Sequence, residues 1–135
     1  MATRSDVGFE PVSEEIDQVA RQIIGAAIEV HRHLGPGLLE SVYEKALVYE
    51  LGLRGLACQQ QMPVTIHYKD LAISGQRLDL LVEPGIVVEL KSIDALLPIH
   101  TKQVVSYLKG TGNRLGLLIN FNVRVLKEGI DRIVC

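Results

Sequence analysis

The sequence predicts a single α/β domain in which helices flank a mixed β-sheet, in the order α-α-β-β-β-α-β-β. Three observations predict this fold class. The chain has 135 residues, which is the usual size of one domain. The spacing of apolar residues changes from helical to strand-like after Gly55. In the second half, a strand, a helix and another apolar strand follow one another, which is typical of a right-handed crossover between parallel strands.

Two amphipathic helices are predicted in the first half of the chain. Ser13 is a suitable N-cap for the first helix, and apolar residues recur at helical spacing over residues 16–34. The Gly-Pro-Gly segment at residues 35–37 ends this helix. The second helix is predicted from about residue 38 to residue 53, where apolar side chains again form one stripe.

Three antiparallel strands are predicted next. Residues 64–68 and residues 71–82 have strand composition, and Lys69-Asp70 forms the tight turn between them. The apolar positions of the second strand change parity, so we expect a bulge near Ser74-Gly75. The third strand covers residues 86–91.

The crossover unit follows these strands. A helix is predicted from Pro98 or Ile99 to Lys109, and residues 115–121 form an apolar run that indicates a strand buried on both faces. The last residues, 129–135, are predicted to form an edge strand.

Composition limits the classes of function and partner. The 14 Lys and Arg residues against 16 Asp and Glu residues give a net charge of -2, so nucleic-acid binding would need a local basic patch. Aromatic residues are 4% of the chain and Trp is absent, which argues against a base-stacking platform. No apolar run is long enough to span a membrane. Two distant cysteines are typical of a reducing cytoplasm.

Residues 1–12 are predicted to form a flexible N-terminal arm, and residues 13–135 are predicted to form the domain. We see no internal repeat and no linker that would divide the chain further.

The predicted hairpin places two carboxylates opposite each other. If a three-residue loop at 83–85 joins the second and third strands, Val82 pairs with Ile86, and Asp79 therefore faces Glu89. One face of this hairpin is then fully apolar and carries Leu78, Leu80, Val82, Ile86, Val88 and Leu90. The other face carries Arg77, Asp79, Leu81, Val87, Glu89 and Lys91.

Opposed like charges destabilise a sheet, so this pair needs a cation. Lys91 is one candidate, and a divalent metal such as Mg²⁺ or Mn²⁺ is the other, because hard cations prefer oxygen ligands. The charges lie where a strand enters a parallel crossover, which is where α/β sheets carry their sites. The alternative is a solvated ion-pair face, since charged residues are mostly exposed.

Two polar residues of the predicted third helix share a face. Gln103 and Tyr107 are four positions apart. Gln103 would orient a substrate or water, and Tyr107 would close over it. The alternative is that both are ordinary boundary residues.

Four motifs occur in a fixed order along the chain. Gly37-Leu38-Leu39-Glu40 followed by Tyr43 is a GxxExxY motif, and Arg77-Leu78-Asp79, Glu89-Leu90-Lys91 and the QxxxY pattern from Gln103 to Tyr107 come after it. This succession resembles the PD-(D/E)xK nuclease superfamily, in particular its RecB-like branch, and is similar to the short GxxExxY proteins. The resemblance runs from about residue 15 to the C-terminus. Leu78 stands where the superfamily pattern has proline, and the four cysteines of some relatives are missing.

The resemblance implies a restriction-endonuclease-like core and a role for each matched residue. Asp79 and Glu89 match metal-binding carboxylates, with the Leu90 backbone carbonyl as a further ligand. Glu40 matches the glutamate that reaches the metal directly or through water. Lys91 matches the lysine that steadies the attacking water or the developing charge. Gln103 and Tyr107 match helix residues that position substrate and site.

The implied function is Mg²⁺- or Mn²⁺-dependent hydrolysis of nucleic acid, with DNA as the expected partner, in the cytoplasm. Two alternatives stay open: a catalytically weak nucleic-acid-binding or regulatory module with the same fold, and a hydrolase for another phosphorylated ligand. A partner protein that supplies DNA binding, or a second copy of the chain, is compatible with so small a domain.

Overall fold

The computed structural model describes residues 3–5 and 12–135, and these residues form three α-helices and one six-stranded mixed sheet. The elements are β1 (Thr3–Ser5), α1 (Glu14–Leu34), α2 (Glu40–Leu53), β2 (Cys58–Tyr68), β3 (Leu71–Val82), β4 (Ile86–Lys91), α3 (Pro98–Thr111), β5 (Leu115–Asn120) and β6 (Ile130–Val134), with a 3₁₀ turn at Leu126–Gly129 before β6. From α1 to β6, the predicted α-α-β-β-β-α-β-β order of the α/β restriction-endonuclease-like fold is confirmed.

The N-terminal arm predicted for residues 1–12 lies largely outside the described residues and stays a prediction. Within it, Thr3–Ser5 pairs in parallel with β6. The predicted edge position of the last strand is therefore wrong, because β1 lies on its outer side.

The strand order across the sheet is β1-β6-β5-β4-β3-β2. β4 and β5 are parallel neighbours joined through α3, which confirms the predicted crossover. Both are almost fully buried because α1 and α2 cover one face of the sheet and α3 covers the other. Continuous apolar runs such as β5 are stable only when both faces are covered in this way.

Both ends of α1 follow the chemistry predicted for them. The Ser13 side chain accepts a hydrogen bond of 3.2 Å from the Ile16 N–H at the start of α1. Gly35 ends α1 with φ of 69°, and its N–H donates to the His31 carbonyl. A residue without Cβ adopts a positive φ most easily.

The predicted hairpin register is confirmed. Val82 pairs with Ile86, and Leu80 pairs with Val88. Thr65 of β2 lies opposite two residues of β3, Ser74 and Gly75, which is the predicted bulge. Gly75 has φ of 115° there, a value that residues with a side chain rarely adopt.

One predicted facing is wrong. Leu78 does not share the apolar core of Leu80 but packs in the opposite core, beside α3. The reason lies in β2, where Gln61 has φ of 52° and the paired residues skip from Gln60–Leu80 to Met62–Leu78. This local irregularity opposite Asp79 turns the outer half of the hairpin, so the side-chain alternation does not continue through it.

A glycine lets α3 approach the sheet. A Cβ atom on Gly116 of β5 would lie 2.5 Å from Cγ1 of Val104 and 3.5 Å from Cδ1 of Leu108. The absence of a side chain at this position therefore sets the distance between the helix and β5.

Candidate active site

The two predicted carboxylates meet where the backbone pairing of β3 and β4 ends. The last paired residues are Leu80 and Val88. Beyond them, the Asp79 N–H donates to Glu89 Oε1 at 3.1 Å, and the Leu90 N–H donates to Asp79 Oδ2 at 2.8 Å. Each carboxylate thus satisfies a backbone donor of the opposite strand, and the two side chains are held side by side.

Glu89 is buried in a region that is short of positive charge. The residue is 4% exposed. The pKa of Glu89 is raised to about 8, first by burial and then by the negative charges of Asp79 and Glu40, while the hydrogen bond from the Asp79 N–H and the charge of Lys91 act in the opposite direction. A carboxylate in such surroundings is stabilised in its charged form by an added cation.

Lys91 stands between the carboxylates and α3. Its Nζ lies 4.0 Å from Glu89 Oε2 and donates to Gln103 Oε1 at 3.2 Å. The lysine side chain is 16% exposed, so its charge is only weakly screened by solvent. Gln103 therefore fixes the position of the one ammonium group in contact with Glu89 in the described structure.

Tyr107 lies below Gln103 on α3 and is buried. Its hydroxyl donates to Gln76 Oε1 at 3.2 Å, which connects α3 to β3. Burial and then the charge of Glu89 raise the pKa of Tyr107, while a hydrogen bond with Gln103 acts against this. The tyrosine is thus within the electrostatic reach of Glu89 and also connects two elements of the site.

Glu40 reaches the end of β4 from α2. It is the first residue of that helix, it is exposed, and its Oε2 accepts a hydrogen bond of 3.4 Å from the Ser92 N–H. The Ser92 hydroxyl in turn donates to the Leu38 carbonyl at 2.5 Å. The residue after Lys91 therefore anchors the segment that leads into α2, and Glu40 lies near enough for its charge to act on Glu89.

Tyr43 holds this segment from below. Its hydroxyl donates to the Gly35 carbonyl at 2.5 Å and accepts from the Leu38 N–H at 3.1 Å. Its ring stacks on Phe121 with a centroid distance of 4.4 Å. Sequence reasoning assigned Tyr43 only to an apolar stripe and a motif. The available signal was a tyrosine hydroxyl on a buried helix face, since such a group needs a polar partner.

Asn120 is a second residue that sequence reasoning missed. It is buried at the end of β5, where its Oδ1 accepts from the Ile93 N–H at 3.1 Å and its Nδ2 donates to the Ile93 carbonyl at 2.9 Å. These bonds fix the chain as it leaves β4 after Lys91. An asparagine inside an apolar run was the signal, because a buried amide must be hydrogen-bonded.

The histidines and cysteines do not join the carboxylates. His31 Nε2 lies 2.7 Å from the Val123 carbonyl, and His100 Nδ1 accepts from the Leu97 N–H at the start of α3. Cys58 and Cys135 are free, and burial raises the pKa of Cys58. The candidate site therefore offers oxygen donors.

The chemical type of these donors, oxygen atoms, suits a hard divalent cation. Carboxylate and carbonyl oxygens are the ligands of Mg²⁺ and Mn²⁺, and burial together with the neighbouring charge of Asp79 raises the pKa of Glu89. Among the described residues, no three His, Cys, Asp or Glu side chains form a group that could hold a metal ion.

No helix in the described part of the chain has the length and apolar character needed to cross a membrane.

A family model described as the PD-(D/E)XK nuclease superfamily matches residues 17–133. No significant match was found to a curated protein or to a solved structure. The matched segment includes all the carboxylates described above, Lys91 and the polar residues of α3.

Proposed function

Because this chain belongs to the PD-(D/E)XK nuclease superfamily, we propose that it is a metal-dependent nuclease that hydrolyses phosphodiester bonds in nucleic acid, with DNA as the preferred substrate. One observation supports this above the others. Asp79 and Glu89 are locked together at the end of β4, with the Lys91 ammonium group 4.0 Å from Glu89. Metal-dependent phosphodiester hydrolysis uses paired carboxylates to hold the metal ion and a fixed positive charge to stabilise the transition state.

The metal ligands in this proposal are Asp79, Glu89, Glu40 and the Leu90 backbone carbonyl. In a strand, the N–H and C=O of one residue point to the same neighbour. The Leu90 N–H donates to Asp79, so its carbonyl is directed to the same side. The Glu40 side chain is exposed, and its hydrogen bond to the Ser92 N–H is long, at 3.4 Å. Because this bond is weak, the side chain can turn toward a cation. When bound, Mg²⁺ or Mn²⁺ supplies the charge that activates water and neutralises the phosphoryl oxygens.

Lys91 contributes a second positive charge in this proposal. It is 16% exposed on its side chain and directed by Gln103, so it interacts with negative charge that develops on the phosphate more strongly than a solvated lysine would. Gln103 keeps that ammonium group in position, and Tyr107 anchors α3 below it.

Within the superfamily, we place the chain in the RecB-like branch and among the GxxExxY proteins. The bonds of Tyr43 to Gly35 and Leu38 support this, since they give the motif tyrosine a task in placing Glu40. We also propose a cytoplasmic location, with which two free cysteines agree.

A catalytically weak nucleic-acid-binding module is the second candidate function. The observation in its favour is that the described side chains do not form a ready group of three metal ligands. In this alternative, the fold and the charges are retained for binding or regulation, and phosphodiester cleavage is absent.

A cleavage assay separates the two. Labelled single- and double-stranded DNA and RNA are incubated with the protein in Mg²⁺, in Mn²⁺ and in EDTA. We expect cleavage with metal only, loss of cleavage in Asp79→Asn, and full cleavage in the control Asp70→Asn, which changes an exposed turn carboxylate. Cleavage in EDTA, or equal cleavage by both variants, would contradict the assignment. Binding without any cleavage would favour the module.

A further inference from the structure

A groove runs along α3 from the candidate site toward the C-terminal end of that helix. Two adjoining cavities form it, one of about 610 Å³ beside Lys91 and Gln103, and one of about 440 Å³ beside Lys109 and Gly110. The two cavities share Ile66, Lys102 and Ser106. The groove is therefore continuous with the site, and its other wall is the β2–β3 hairpin.

The two walls are fixed against each other. Tyr107 of α3 donates to Gln76 of β3 at 3.2 Å. At the far end, a Cβ atom on Gly110 would lie 2.6 Å from Cγ1 of Val64 and 3.3 Å from the Thr65 carbonyl oxygen. The helix thus packs closely on β2 there. The groove is consequently a feature of the folded core and keeps its shape without a ligand.

The charge of the groove is opposite in sign to that of the whole chain. Among the described residues that line it, the ionisable side chains are all basic: His67, Lys91, His100, Lys102 and Lys109. The net charge of the chain is -2. Lys102 and Lys109 are seven positions apart on α3, so they lie on the same side of the helix, about 10 Å apart along its axis.

Apolar side chains share the same walls. Ile66, Ile99 and Val105 line the cavities together with the lysines. A ligand that fits must therefore present negative charge and apolar surface side by side. A single nucleic-acid strand does this because its bases are unpaired, whereas a duplex turns its bases inward and presents phosphates outward. Cavities of this size also suit a few nucleotides rather than a duplex.

We infer that this groove binds a single nucleic-acid strand and leads it to the Asp79–Glu89 site, with Lys102 and Lys109 on the phosphates and the apolar wall against the bases. The inference rests on the proposed nuclease function for its purpose, but its binding step is independent of cleavage. It selects single strands over duplex and has no sequence preference, because phosphate contacts carry no sequence information.

The test measures binding in EDTA, where metal-dependent cleavage is suppressed. The probes are a fluorescein-labelled 12-nucleotide DNA strand of mixed sequence and the corresponding blunt duplex, followed by fluorescence anisotropy across a salt series. We expect the single strand to bind at least about tenfold more tightly than the duplex. We expect Lys102→Gln/Lys109→Gln to weaken single-strand binding about tenfold and to lower the salt slope by about 1.4, the value for two phosphate contacts to a single strand.

The matched control is Lys45→Gln/Lys127→Gln, which removes the same charge from two exposed lysines outside the groove. It should bind the strand like the parent. Equal losses in both double variants, or equal affinity for strand and duplex, would overturn the groove. If the parent cleaves DNA but the groove variant binds normally, the groove inference fails and the nuclease function stands. If the groove variant alone loses binding and the parent never cleaves, the groove stands and the nuclease function fails.

Discussion

The Glu89 carboxylate couples the stability of the metal-free protein to pH. Its pKa lies at about 8 in the folded chain against an ordinary value of 4.5, so the folded state binds the proton more tightly than the unfolded state. The resulting stabilisation is complete below pH 4.5 and is lost as pH rises through about 8. We expect the free energy of unfolding in EDTA to fall by a few kcal/mol over this window.

The variant Glu89→Gln isolates this effect because glutamine cannot ionise and its amide oxygen still accepts from the Asp79 N–H. Urea unfolding from pH 5 to pH 9 should give a flatter stability curve for the variant than for the parent. Parallel curves would show that Glu89 does not titrate in this range in the folded protein.

Lys91 is expected to act on cleavage rather than on metal binding. Replacing it with Met keeps an unbranched apolar stem that is one atom shorter and removes the charge next to the reacting phosphate. We expect Lys91→Met to slow cleavage about 100-fold or more, while Gln103→Ala, which only releases the lysine, should have a smaller effect. Single-turnover rates measure this, and calorimetric titration with Mn²⁺ measures metal affinity.

The control for Lys91→Met is Lys45→Met, which makes the same change at an exposed position of α2. It should cleave like the parent. The role given to Lys91 is wrong if both variants cleave at the same rate in matched metal and salt.

At this scale, the sequence predicts the charged pair but not its support. The opposition of Asp79 and Glu89 follows from turn length and strand alternation, which are local rules. The bonds of Tyr43 to Gly35 and of Asn120 to Ile93 depend on how separate elements pack. No local pattern specifies such contacts, so sequence reasoning reveals only that these polar groups need partners.

Among the elements, α3 carries both Gln103 and Tyr107, and it packs on β5 at Gly116. We expect Gly116→Ala to destabilise the protein by about 1–3 kcal/mol, because its methyl group would collide with Val104 in a packed interface. We also expect weaker cleavage, since a shift of α3 displaces Gln103 from Lys91. Chemical denaturation and steady-state rates measure the two effects.

Gly52→Ala provides the comparison on another helix. Nothing lies within 4 Å of a Cβ atom at Gly52 in α2. Alanine should therefore stabilise the protein by up to ~1 kcal/mol through its higher helix propensity. If Gly116→Ala proves as harmless as Gly52→Ala, the close approach of α3 to β5 is not required.

The elements themselves are largely predictable, and their failures have local causes. The helix after residues 35–37 was predicted from about residue 38, but α2 begins at Glu40 and Leu39 is 73% exposed. Leu38 is held in the preceding segment by Tyr43 and Ser92. Likewise, Leu78 lies on the opposite face of the sheet from the predicted one because of the backbone conformation at Gln61. A positive φ at a glutamine cannot be predicted from residue type.

For the whole molecule, the carboxylate pair lowers stability in the absence of metal and provides the affinity for metal. Opposed like charges cost some tenths to ~1 kcal/mol. Asp79→Asn removes one charge and can still accept from the Leu90 N–H. We expect it to raise the melting temperature in EDTA at pH 9, where Glu89 of the parent is ionised, by up to about 2–5 °C. Added Mg²⁺ should stabilise the parent by mass action and the variant much less.

Differential scanning fluorimetry with and without millimolar Mg²⁺ or Mn²⁺ measures both effects, and Asp70→Asn again serves as the control. An equal response to metal in the parent and in Asp79→Asn would exclude Asp79 as a ligand. The charged face of the hairpin would then be a structural ion-pair network.

The topology of the whole fold is predictable because each part agrees with the next. A short loop fixes the antiparallel hairpin, and a strand-helix-strand unit fixes the parallel crossover. The groove along α3 is not predictable in this way. Its lysines are ordinary surface residues in the sequence, and only the packing of β2 against α3 puts them on the wall of a cavity.

The uneven pairing of the sheet also gives its amide protons two rates of hydrogen exchange. β3 pairs with β2 from Leu71 to Val82 but with β4 only from Leu80 to Val82, so the outer part of the hairpin is a two-stranded ribbon, while β4 and β5 are flanked and covered. The tip of this ribbon, beyond the residues that pack on α3, can open without disturbing the core, whereas the amides of β4 and β5 exchange only when the domain unfolds. Deuterium uptake followed by mass spectrometry should therefore label residues 68–73 early and residues 115–120 last.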